Sequence, residues 1–141
     1  MEYHIGVTGT RSGMTDYQRE RVTEIFSTVA SAASEQIILH HGDCVGVDVE
    51  VADIATRLGI RTVCHPPIKE ELRAFHKSGT ILEQKTHFAR NRDIVDACDY
   101  LLVMPWQMEH QTRGGTWYTH DYAVKQNRPM EIIWPKLPNR L

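Results

Sequence analysis

The sequence predicts an α/β fold: a single Rossmann-like, doubly wound and mainly parallel sheet of about five strands, with helices on both faces. Three observations carry that expectation. Short apolar runs recur along the chain and are nearly continuous, as in strands covered on both faces. Segments with apolar residues at helical spacing alternate with them, the order that builds βαβ units. The apolar runs end in polar, glycine-bearing loops that lead into helices.

The first run is Tyr3 to Thr8, and it ends in the turn-rich loop Gly9 to Gly13. Thr15 and Gln18 fit a capping box, T-x-x-Q, that starts a helix. Val22, Ile25, Phe26 and Val29 then mark its buried face, and the helix is expected to fade near Ser34. Gln36 to His40 is the second run, followed by the loop His41 to Asp48. Val51, Ile54, Ala55 and Leu58 form the next helical stripe, closed by Gly59 as the glycine just past the helix end. Arg61 to His65 is the third strand, stopped by Pro66 and Pro67.

Lys69 to Lys85 is polar and irregular, consistent with a short helix and a loop. Thr86 to Ala97 reads as a helix with Phe88, Ile94 and Val95 as its apolar positions. Tyr100 to Met104 is another strand, ended by Pro105 and followed by a polar loop, Gln107 to Gly115. A helix over Thr116 to Gln126, a strand over Met130 to Trp134 and a peripheral tail over 135–141 complete the chain. One domain over 1–141 is the expectation for a chain of 141 residues without a linker or repeat.

Composition narrows the function. Hydrophobic residues make up 41% and charged residues 24%, the balance of a globular chain. The formal net charge is -2, which lacks the basic excess of a dedicated nucleic-acid binder. Cys44, Cys64 and Cys98 are odd in number and lack CxxC spacing, which fits reduced thiols in a reducing compartment. Met1 leads straight into a strand-like segment without the apolar core of a signal peptide, and no apolar run approaches the roughly 20 residues that cross a bilayer. The expected setting is therefore cytoplasmic, away from membranes.

In an open α/β sheet, ligands bind outside the carboxyl ends of the strands. That rule selects three loops. Each opens onto a helix start, where unsatisfied N–H groups and the positive end of the dipole favour an anion. The first loop offers Gly9, Thr10, Arg11 and Ser12 to a phosphate or a ribose edge. The second offers Gly42, Asp43, Gly46 and Asp48, and Asp48 is placed either to accept ribose hydroxyls or to stabilise its own helix start. The third offers Pro105, Arg113, Gly114, Gly115 and Thr116, with Trp117 either stacking on a base or packing in the core. Arg90, Asn91 and Arg92 precede the Tyr100–Met104 strand. The two arginines are too close in sequence to share one helical face, so one is expected toward the ligand and the other paired with an acid at the surface. His40, His41 and His65 cluster at strand ends but lack a tight ligand spacing, so hydrogen-bonded loop histidines are expected there, with neither a metal nor a cofactor.

Four segments together, GVTGTRSG (6–13), HGDCVGVDVEVADIA (41–55), ARNRDIVDACDYLLVMP (89–105) and RGGTWYTHDYA (113–123), resemble the SLOG superfamily. That superfamily groups the LONELY GUY and lysine-decarboxylase-like phosphoribohydrolases with the DNA-processing protein A (Smf) fold. The resemblance implies a nucleotide-binding Rossmann-like domain and a homodimer or higher homo-oligomer. In the LONELY GUY enzymes an arginine before the fourth strand and a glutamate in PGGxGTxxE serve cleavage of an N-glycosidic bond. Arg90 stands where that arginine does. The glutamate position holds Thr119, and Asp121 follows two residues on.

Three functions follow as expectations. The first is a module that binds or senses a nucleotide or nucleotide-derived phosphate. The second is an N-glycosidase acting on a nucleoside 5′-monophosphate or a related metabolite, with Arg90, Asp48 and Asp121 as its candidate catalytic residues. The third is a DNA-binding accessory protein, which needs a basic stripe that the sequence does not display.

Overall fold

The computed structural model describes residues 1–32 and 36–137. Six strands form one parallel sheet: β1 (Glu2–Gly9), β2 (Gln36–His41), β3 (Arg61–Cys64), β4 (Thr80–Ile81), β5 (Tyr100–Met104) and β6 (Met130–Ile132). Four α-helices connect them: α1 (Asp16–Ala32), α2 (Val47–Arg57), α3 (His87–Ala97) and α4 (Gly115–Lys125). The spatial order is β4-β3-β2-β1-β5-β6. The chain thus winds outward from β1 in one direction, then returns to β1 and winds outward in the other. The reversal falls between β1 and β5, where an open α/β sheet leaves a crevice at its carboxyl edge.

Local chemistry sets several of these boundaries. At the start of α1, Thr15 Oγ1 accepts the Gln18 N–H at 3.1 Å while Gln18 Oε1 accepts the Thr15 N–H at 3.0 Å, the reciprocal capping box. Gln18 is buried, and its amide nitrogen donates to the carbonyls of Pro105 and Ile133, so one side chain caps α1 and ties it to the ends of β5 and β6. The expected end of this helix near Ser34 lies outside the described residues. At the end of α2, Gly59 has φ +75 and the Ile60 N–H reaches the Ala55 carbonyl at 2.8 Å, which closes the last turn.

The main core lies between the sheet and α1 and α2, built from residues such as Ile5, Val7, Phe26, Leu39, Val51 and Met104. A smaller cluster on Ile94, Val95, Leu101, Val103 and Ala123 seats α3 and α4. Leu58 and Phe88 depart from the sequence expectation, since both are exposed. Leu58 sits in the capping turn beyond α2, and Phe88 sits in the first turn of α3 beside the crevice. The sixth strand, β4, lies in the polar stretch expected as loop. The short helix expected there is the single turn Glu70–Leu72.

Candidate functional site

A cleft of about 540 Å³ opens at the carboxyl edge of the sheet, over the reversal between β1 and β5. Its floor is the end of β1 and the first loop. Here the backbone is packed tightly against the start of α2. A Cβ on Gly9 would lie 2.5 Å from Val47, and one on Gly46, already at φ +92, would lie 2.5 Å from the Arg11 backbone. Glycine at these two positions lets the first and second loops touch. The Thr10 carbonyl then accepts the Val47 N–H at 3.0 Å, which fixes α2 under the cleft.

Arg90, 4% exposed, is the central side chain of one wall. Its Nε donates to Asn91 Oδ1 at 2.7 Å, and Nη1 donates to the carbonyls of Gly42 and His65. Its Nη2 approaches Cys44 Sγ at 3.7 Å and His87 Nδ1 at 3.1 Å. A guanidinium has five N–H donors and no acceptor, so these five partners use its whole donor set. Because Arg90 can only donate, His87 Nδ1 accepts, and the proton of a neutral His87 sits on Nε2. Burial, then the positive charges of Arg90, Arg11 and Lys69, lower the His87 pKa and favour that neutral form.

Asp48 lies in the first turn of α2 and lines the same cleft. Burial pushes its pKa up to about 6, against the pull of Arg90 and of the Cys44 and Gly42 backbone N–H groups. The carboxyl is therefore poised to change protonation near neutrality, as acid–base groups in clefts are. Cys44 is the opposite case. Burial, followed by the Asp48 charge, raises its thiol to about 11, which keeps it protonated and a poor nucleophile.

The facing wall is the β5–α4 loop and the start of α4. Trp106 projects there at 65% exposure, and Arg11 and Arg113 are exposed beside it. Gly114, at φ +103, caps α4 with no side-chain cap hydrogen bond, so the helix start faces the cleft through Gly114, Gly115 and Thr116. Two arginines, a helix N-terminus and an indole make an arrangement suited to a phosphate attached to a flat ring.

The structure brings together in this cleft Gly9, Thr10, Arg11, Asp48, Arg90 and Asn91 with Arg113, Gly114, Gly115, Thr116 and Trp117. Trp117 reaches it only at its edge, being 2% exposed and hydrogen-bonded through Nε1 to Gln107 Oε1. Other sequence candidates sit elsewhere. Asp43, wholly buried, accepts from Arg73 Nε at 2.8 Å and from the His76 N–H at 2.9 Å, which ties the second loop to residues 70–78. Gly42 and Gly46 lie behind the lining, one under Arg90 and one under Arg11. Ser12 turns back to Thr10 Oγ1. Pro105 serves through its carbonyl as an acceptor for Gln18. Arg92 points away from Arg90, to the Tyr118 hydroxyl at 2.8 Å, and not to a surface acid. Asp121 is outside the cleft, hydrogen-bonded to His110 and His120. Thr119, at the family's glutamate position, is buried and bonds the Gly115 carbonyl one turn back.

Sequence reasoning missed Trp106, Gln107, His87 and Cys44 as lining residues. A tryptophan next to a strand-ending proline in a polar loop was the available signal for Trp106. Of the three strand-end histidines, His40 bonds both His65 and His4, at 2.9 and 2.8 Å, while His41 bonds Ser78.

No family model matches the sequence, and no curated protein matches it. Solved structures do. A molybdenum cofactor binding protein from the phototrophic bacterium Rippkaea orientalis matches with a TM-score of 0.71 at 18% identity, over 94% of this chain and 76% of that one. DNA processing protein A from Helicobacter pylori, described with a single-stranded DNA binding mode, matches with a TM-score of 0.67 at 18% identity. That match covers 99% of this chain and 66% of the other. The molybdenum cofactor carrier protein of Chlamydomonas reinhardtii gives a TM-score of 0.64 at 19% identity, over 94% of this chain and 76% of that one. Among the described residues no helix is long and apolar enough to cross a membrane. With its parallel sheet and these structural neighbours, the chain has a Rossmann-like α/β fold, the fold that its resemblance to the SLOG superfamily implies.

Proposed function

We propose that the protein binds a nucleotide or a nucleotide-like phosphate in the cleft between β1 and β5, as a binding or sensing module. One observation carries the reading. The uncapped start of α4, flanked by Arg113 and facing Arg11, opens into a space of about 540 Å³ that also holds the exposed ring of Trp106. The helix start and the arginines suit the phosphate, the indole suits the ring, and Asp48 suits a sugar hydroxyl. Two of the neighbours are named for binding or carrying the molybdenum cofactor, so the fold accommodates a small-molecule ligand in those proteins.

N-glycosidic cleavage is the second reading, and Asp48 favours it. A carboxyl in the cleft with a pKa near 6 is suited to stabilise a developing oxocarbenium or to hand a proton to a departing base. Against it stands Thr119, which supplies no carboxylate where the resemblance would put one.

Calorimetric titration of the full chain with AMP, ADP-ribose, a pterin phosphate and adenosine tests the first reading, with chromatography of the same mixtures for free base. The expected result is binding of at least one phosphorylated compound, with adenosine weaker than AMP by about tenfold or more, the value of charge-assisted phosphate contacts. Adenosine binding as well as AMP, or no phosphorylated compound binding, would overturn the reading. Base release abolished by Asp48→Asn would replace it with the second.

A further inference from the structure

A second cluster lies on the β5–α4 loop, outside the cleft. His110 comes from the loop, and His120 and Asp121 come from the second turn of α4. His110 Nε2 and His120 Nδ1 each lie 2.8 Å from the same oxygen, Asp121 Oδ1. The three atoms lie within 4.8 Å of one another. A zinc-sized ion holds nitrogen and oxygen ligands at about 2.0–2.2 Å, so the two nitrogen–oxygen separations need to widen by only about 0.6 Å to admit it.

Both imidazoles are seated on the buried Trp117 indole, with ring centroids 4.9 Å away for His110 and 5.2 Å for His120, each edge-on. That support fixes the rings before an ion arrives. The outer side is open, since the His110 and Asp121 side chains are 47% and 51% exposed, leaving room for water to complete the coordination. The donors on offer are two imidazoles and a carboxylate, a set that takes zinc and its first-row neighbours.

Among the described residues, the other compact group of such side chains, His41, Asp43 and Cys64, differs in kind. His41 Nδ1 accepts the Asp43 N–H and its Nε2 bonds Ser78, while the Asp43 carboxylate already holds the Arg73 guanidinium. A cation of the protein's own stands at that carboxylate.

We propose that His110, His120 and Asp121 form a binding site for a divalent transition-metal ion of zinc's class, and that the bound ion pins the β5–α4 loop to α4. The same loop carries Trp106, Gln107 and Arg113, so the ion would order one wall of the cleft. The site stands on its own geometry and does not depend on what the cleft binds.

The test is a Co²⁺ titration of the full chain, read by visible absorption and competed with Zn²⁺. One cobalt per chain, displaced by zinc, is expected. His110→Ala and His120→Ala should each weaken binding by at least about tenfold, the loss that removing even a supporting partner causes at metal sites. Circular dichroism of both variants checks that they fold, and His110 is surface-exposed enough to keep that control informative. Zn²⁺ should slow proteolytic cleavage within residues 106–113 in the wild type and not in His110→Ala. Absence of one-to-one binding, affinity unchanged in both variants, or a sulfur-to-cobalt charge-transfer band placing the ion at a cysteine would overturn the site. Cleavage unaffected by zinc in the wild type would overturn the pinning.

Discussion

The two walls of the cleft are built in opposite ways. On the β2 side, polar groups are spent on the protein itself: Arg90 distributes its donors over Gly42, His65, Asn91, Cys44 and His87, and Asp43 is locked by Arg73 and His76. On the β5 side, Trp106 and Arg113 stand in solvent, and the start of α4 has no side-chain cap. The first wall supplies shape and a fixed field, and the second supplies groups whose partners are still to come. Substitutions in the first wall should therefore register as lost stability, and those in the second as lost affinity.

The largest effect is expected at Arg90. Its replacement by alanine leaves the carbonyls of Gly42 and His65 without their donor and Asp48 without the nearest compensating charge, all in a buried setting. A buried acceptor left without its donor costs about 1–3 kcal/mol, and two carbonyls lose theirs here. Denaturant unfolding should show a loss of that order, with any fall in ligand affinity following from the disordered second loop. A loss under about 1 kcal/mol would mean that Arg90 is held for the ligand and not for the wall.

Asp48 gives a smaller effect with a definite pH window. Its folded pKa, about 6, lies above the value of about 4 for a free carboxyl. The unfolded chain then releases its proton first as pH rises. The stability associated with this group is fully present below about pH 4 and is lost as pH rises through about 6. Buried His40, His41 and His65 act in the opposite sense. Burial first, then neighbouring positive groups, lower them to about 4, 3 and 4, so they cost stability as pH falls below the ordinary imidazole range. The clean readout is the difference between wild type and Asp48→Asn. Between about pH 4 and pH 7 the wild type should lose up to about 3 kcal/mol relative to the variant. A difference flat across that range would remove the raised carboxyl from the cleft's chemistry.

Much of this contrast was open to a reading of residues, and the remainder needed the chain folded. The Thr15–Gln18 box and the Gly59 helix end were legible because they are local: partners lie within a few residues and only backbone geometry is at stake. The glycine loops at the cleft were legible because a parallel sheet gathers the carboxyl ends of its strands along one edge. The strand β4 was not, because two residues in a polar stretch become a strand only by pairing with β3. That Arg90 and Arg92 diverge follows from their spacing. That Arg90 is the inward one depends on acceptors from the β2 loop, the end of β3 and its own helix meeting around it, which spacing does not encode. The His110, His120 and Asp121 cluster needs a loop folded back on its helix. In sequence Asp121 stands out only as a carboxylate beyond the glycine motif, and His110 lies eleven positions before it with nothing to pair them.

The smallest and most discriminating effects are expected on the open wall. Trp106→Ala removes an exposed ring that stacking on a flat ligand would use, worth about 1–3 kcal/mol of affinity. Arg113→Ala removes one charge-assisted phosphate contact, worth about 1.5–3 kcal/mol in a desolvated site and at the lower end of that range where solvent reaches it, as here. Neither side chain is buried, so unfolding free energy should stay within about 0.5 kcal/mol of wild type for both. A phosphate without a ring should feel Arg113→Ala and ignore Trp106→Ala, while a ring-bearing phosphate should feel both. That pattern, read by calorimetry on matched ligands, assigns the two ends of the ligand to the two side chains. If either substitution instead lowers stability and spares affinity, the open wall is structural after all, and the ligand's contacts must be sought on the Arg11 and Asp48 side.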